Sequence, residues 1–132
     1  MKKFEQFSRH LQVLRKADEE DLSNEFIISG VIDKFYIQFE LGWKVLKELL
    51  AYEGVKSAAS GSPREIIKAA YAYFDFIDEN TWLQMLRDRN DTTHMYNEQA
   101  AIELADKVIK DYIPVFIKMQ QAVKDRYGEP EL

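Results

Sequence analysis

Apolar residues recur at intervals of three and four along most of this chain, the spacing that keeps side chains on one face of a helix. Phe4, Phe7, Leu11 and Leu14 make the first stripe, which fades into the acidic run Asp18, Glu19, Glu20, Asp21. A longer stripe of Ile28, Ile32, Phe35, Phe39, Trp43, Leu46 and Leu50 predicts a second helix that stops at Gly54. Gly42 lies inside it. Glycine there costs about 1 kcal/mol relative to alanine, so its expected reason is the close approach of a neighbouring helix.

Residues 57–62 are small and read as a loop. Ser62, Pro63 and Glu65 then supply an N-cap, a proline at the first helical position and a capping-box glutamate for helix three, which is expected to end near Phe74. Asp78 reads as the next N-cap, with Ile77 and Trp82 at the spacing of a hydrophobic staple, and helix four turns Trp82, Met85 and Leu86 inward. Asn90, Asp91, Thr92 and Thr93 favour turns over helix, so helix four should bend or fray through them. Asn97 can cap a last helix, whose stripe is Ile102, Ala105, Val108 or Ile109, Tyr112, Phe116, Met119 and Val123, kinked by Pro114. The pattern predicts an all-α, antiparallel up-down bundle of four main helices plus a shorter one. Residues 1–126 read as one domain and 127–132 as a polar tail.

Composition narrows the chemistry. The chain has 132 residues, enough for one sizeable core, and no cysteine, which removes disulfides, thiolate metal sites and thiol nucleophiles. The N-terminus lacks the apolar run of a signal peptide and no stretch approaches a membrane span, so a soluble, cytoplasmic protein is expected. The net charge of −5 argues against a broad electrostatic grip on nucleic acid, so any RNA contact must be local. No cofactor or metal is expected. Gly61, Ser62, Asp75 and Asp78 distantly echo the Gly-Ser and Asp-x-Asp signature of nucleotidyltransferases, but two residues rather than one separate the aspartates and no strand surrounds them. This chain is not the transferase.

There are two histidines. His10 lies off the first stripe without a facing acid or hydroxyl, and it reads as a surface residue. His94 follows Arg87, Arg89 and Asn90 and precedes Tyr96, so one short segment concentrates cation, base and phenol. On an unbroken helix Arg89 would point about 140° away from His94, so the two meet only if the helix breaks between them. A guanidinium beside an imidazole suits a phosphodiester. The alternative is an i, i+4 surface pair of Arg87 with Asp91, with His94 capping a helix end. Phe35, Phe39 and Trp43 read as core, while Glu40 and Lys44 flank them as an i, i+4 pair, either a surface pair or the edge of an interface.

Three segments carry a resemblance: Phe35 through Lys47, Ser62-Pro63-Arg64-Glu65, and Trp82 through Tyr96. In that order they resemble the nucleotidyltransferase substrate-binding proteins, a branch of the HEPN superfamily paired with minimal nucleotidyltransferases. The resemblance implies a dimerising helical bundle that works beside a small nucleotidyltransferase. It further implies a metal-independent ribonuclease site in Arg89 and His94, with Asn90 as the usual polar residue; Arg87, seven residues from His94 and so on its face of an ideal helix, reads as auxiliary. Met95-Tyr96 completes the Arg-x4-His-x-Tyr form of toxins whose tyrosine is adenylylated by the partner. A non-catalytic subunit that holds a nucleotide or acceptor for the transferase is the competing expectation.

Overall fold

The computed structural model describes residues 1–56 and 60–128. The expected loop at 57–62 therefore falls partly outside the described residues, as does the end of the expected tail. The helices are α1 (Lys2–Leu14), α2 (Glu25–Tyr52), α3 (Pro63–Tyr73), α4 (Glu79–Asn90), α5 (Glu98–Lys107) and α6 (Ile113–Tyr127). A π-turn, Val108–Tyr112, joins α5 to α6 in one continuous rod, so the described residues form an all-α bundle of five rods. α2 is its axis, touching α1, α3, α4 and α5.

The ends of these helices follow from their residues. Asn24 caps α2 by accepting from the Phe26 amide at 2.8 Å. Gly54, at φ +80, ends α2 in a Schellman motif, with Val55 N–H donating to the Leu50 carbonyl and Gly54 N–H to that of Ala51. Ser62 Oγ accepts from the Glu65 amide at 3.3 Å and donates to the Glu65 carboxylate at 3.2 Å, a capping box closed through the hydroxyl. Asp78 occupies the N-cap of α4, but its carboxylate is taken by the Thr81 hydroxyl at 2.6 Å and accepts from no backbone amide. Pro114 lies in the first turn of α6; its missing N–H and its ring against the preceding turn account for the π-turn just before it.

The core is aromatic. Phe7, Phe35, Phe39, Trp82, Tyr112 and Phe116 are fully buried, with Phe35 against Tyr112 at 5.1 Å and Trp82 edge-on to Phe116 at 5.8 Å between ring centroids. Each such ring stabilises the fold by about 1.5–3 kcal/mol through area removed from water. Gly42 has the expected reason: a Cβ there would lie 3.0 Å from the Trp82 ring of α4 and 3.3 Å from Phe7 of α1. Three expectations need correction. Trp43 is only half-buried because its indole N–H reaches out to Glu40 Oε2 at 3.2 Å. Ile102 is exposed, at the edge of a groove described below. His10 is half-buried, and its Nδ1 sits 2.6 Å from Oε1 of the buried Gln38. Since the Gln38 amide donates to the Phe7 carbonyl at 3.0 Å, Oε1 is the acceptor and Nδ1 of His10 carries the proton.

Candidate functional site

α4 breaks where its turn-forming residues begin. It ends at Asn90; Asp91 adopts extended backbone and its carboxylate accepts from the Thr93 amide at 3.0 Å and the Thr93 hydroxyl at 2.7 Å. That local turn competes successfully with helix continuation. The two Thr93 hydrogen bonds, amplified by the His94 imidazole, hold the Asp91 carboxyl below its usual range. A short 3₁₀ turn, Thr93–Met95, follows, and Asn97 caps α5 by accepting from the Ala100 amide at 3.0 Å.

The break redirects two side chains onto α2. Arg89 forms an ion pair with Glu40, and His94 Nε2 lies 3.0 Å from the Tyr36 hydroxyl, with the two rings edge-on at 5.7 Å. Tyr36 and Glu40 are i, i+4 neighbours, so Arg89 and His94 rest on adjacent turns of one helix face. No hydrogen bond joins the two directly. Glu40 gathers three groups, since Lys44 Nζ also lies 3.9 Å from it and Trp43 donates to it. Asn90 is exposed and accepts from Arg89 at 3.4 Å. Arg87 is exposed, and the alternative Arg87–Asp91 surface pair is absent because Asp91 has turned to Thr93. Tyr96 is 80% exposed and Met95 74%, so the segment presents its phenol to solvent.

Behind Arg89 lies an arrangement that periodicity did not reveal. The buried Tyr112 donates its hydroxyl to Asp88 in a short hydrogen bond, and Lys107 Nζ lies 3.1 Å from the same carboxylate. The π-turn separates these two residues and lets both face α4. Burial first, and then the Asp88 carboxylate, push the Tyr112 phenol well above the ordinary tyrosine range. Tyr36 is raised for the same leading reason, with Asp33, Asp91 and Asp88 adding to it and Arg89 opposing. Both phenols therefore stay protonated as hydrogen-bond donors at neutral pH.

Two cavities open beside His94. A groove of about 620 Å³ runs along α2 between Ile28 and Tyr36 and is closed by Met95, Tyr96 and Ala101. A smaller one of about 300 Å³ is lined by Asp88, Asp91, Thr93 and Lys107. Among the described residues no three His, Asp or Glu side chains are arranged to hold a metal, and no helix is long and apolar enough to cross a membrane.

A cation, an imidazole and an exposed phenol thus follow one another along the end of α4 and the turn after it. Residues 2–125 match the family described as nucleotidyltransferase substrate binding protein like, and the chain belongs to that family. No individual curated protein matches it.

Proposed function

We propose that this chain is the helical partner of a separate small nucleotidyltransferase, and that two copies of it assemble a metal-independent RNA-cleaving site of the HEPN type from Arg89 and His94. The observation that carries the reading is the break at Asp91, which brings residues far apart on an ideal helix to adjacent turns of α2. In this mechanism His94 of one protomer takes the proton of an RNA 2′-hydroxyl as its oxygen bonds to phosphorus. The bond from phosphorus to the 5′-oxygen breaks, and His94 of the other protomer protonates that leaving oxygen. Arg89, assisted by Arg87 and Asn90, offsets charge on the phosphorane. The products are a 2′,3′-cyclic phosphate and a 5′-hydroxyl.

The partner controls the site through Tyr96. The exposed phenol of Tyr96 attacks the α-phosphorus of ATP in the transferase, pyrophosphate leaves, and the phenolic proton is lost. The added phosphate lies two residues from His94, where it competes for Arg89 and blocks an RNA phosphate. Purified dimer is expected to cleave RNA in the presence of chelator, with His94→Ala and Arg89→Ala each lowering the rate about 10²- to 10⁴-fold. Cleavage persisting in both variants, or lost on chelation, overturns the mechanism. Co-expression with the transferase should add AMP to Tyr96, read by intact mass and peptide analysis; an unmodified Tyr96 beside an active transferase rejects that part.

A second reading has its own support. Glu40 already neutralises Arg89, and Asp33, Asp88 and Asp91 surround the site with negative charge. This favours a binding subunit that holds a nucleotide or acceptor for the transferase and cleaves nothing. Expression in cells separates the two: toxicity relieved by His94→Ala supports the ribonuclease, and harmless expression with retained transferase binding supports the subunit.

A further inference from the structure

Among the described residues His94 alone lines both cavities beside the site, so a nucleic-acid strand whose phosphate rests at His94 has one nucleoside on each side of it. The two sides differ. The groove of about 620 Å³ is within the size range of small-molecule sites, about 300–1,000 Å³, and has an apolar floor of Ile28 and Ile32. Tyr96, with most of its side chain in solvent, lies at its rim. Its polar lining is acidic, with Glu25, Asp33 and Glu98, which repels a phosphate and leaves the neutral base as the part that enters.

Asp33 is the informative residue. It is exposed to the groove, stands one helical turn before Tyr36, and makes no hydrogen bond or ion pair among the described residues. An ionised carboxylate only accepts hydrogen bonds, and it accepts two side by side. Of the RNA bases, guanine presents two adjacent donors, N1–H and the exocyclic amino group. Adenine places a ring acceptor beside its one amino group, and uracil flanks its single N–H with two carbonyls. Unstacked RNA bases are commonly read this way, by stacking on an aromatic ring and by hydrogen bonds to the Watson–Crick edge.

We propose that this groove is a base-recognition subsite for guanine, with Asp33 reading the Watson–Crick edge and Tyr96 stacking on the ring. The cleavage position it implies, next to a guanosine, rests on the ribonuclease reading; the binding preference does not. The test is a titration of the full chain with guanosine, inosine, adenosine and uridine, followed by NMR at the Tyr36 and His94 rings. Guanosine should bind about tenfold or more tighter than inosine, which lacks the amino group, and Asp33→Asn should erase the difference while leaving the melting transition in place. Equal binding of guanosine and inosine, or a preference that survives Asp33→Asn, overturns the proposal, and the inosine comparison needs no variant. Guanosine preference without RNA cleavage supports the subsite and defeats only the ribonuclease reading. Cleavage without base preference does the reverse.

Discussion

Two carboxylates in this molecule do the same chemistry in opposite surroundings. Glu53, at the end of α2, accepts from the hydroxyls of Tyr73 at 3.1 Å and Tyr127 at 2.9 Å and pairs with Arg126 at 3.2 Å. Asp88, near the end of α4, accepts from Tyr112 and pairs with Lys107. Each joins a phenol and a cation from the C-terminal rod to an earlier helix. The Glu53 cluster is wet: Tyr73 is exposed, and Arg126 lies over the rings of Tyr73, Phe74 and Tyr127 where water competes for every bond. Tyr112 is fully buried, so its hydroxyl has no water to fall back on. The difference teaches that a polar contact matters by what replaces it when it is lost.

The largest effect should come from Asp88→Ala, which strands a buried hydroxyl and an ammonium together and is expected to cost about 2–3 kcal/mol in denaturant unfolding. A loss no greater than that of Glu53→Ala would erase the distinction. Tyr112→Phe removes only the donor, leaves Asp88 its Lys107 partner, and should cost about 1 kcal/mol. An alkaline titration sharpens the contrast. Burial, then Glu53, pushes Tyr127 up to about 12. Because the folded value is raised, this contribution is intact below the ordinary tyrosine value of 10.0 and is lost as pH rises toward 12. Ultraviolet absorbance should therefore show Tyr127 ionising late, and Tyr112 only when the protein unfolds.

The smallest effect belongs to acid. Hydrogen bonds from Tyr127, with Tyr73 and Arg126, lower Glu53 below its ordinary 4.5 despite some desolvation. A lowered carboxylate stabilises above its unfolded value and loses that contribution as pH falls through the folded one. Thermal melts of Glu53→Gln and the parent should differ slightly at neutral pH and converge as pH falls through the folded value of Glu53. A gap that persists in acid would mean that Glu53 acts through packing alone.

Local rules made most of the fold legible. The Phe4, Phe7, Leu11, Leu14 stripe is buried as expected, and Gly54, Ser62, Asn97 and Gly42 each do what their positions imply. What periodicity could not carry are contacts between distant residues. The His10–Gln38, Tyr36–His94 and Asp88–Tyr112 bonds span 28, 58 and 24 residues, and nothing in either local pattern announces the partner. Arg89 and His94 were recognisable as a pair with a condition attached, a break between them. The Asx turn at Asp91 supplies that break, yet Tyr36 and Glu40 as their resting places emerge only from the packing of α4 on α2.

The break also divides the site by rigidity. Arg89 lies in the last turn of a helix anchored by the fully buried Trp82 and Met85, which makes it the better-held half of the site. His94 and Tyr96 belong to a short turn held mainly by Asp91 and Asn97 side chains, which can open without disturbing the helices around it. One half of the constellation is therefore tied to the core, and the other half lives on a faster clock. Gentle heating or a nick in the connector should disable the site while helicity, and the guanidinium resting on Glu40, stay as they were.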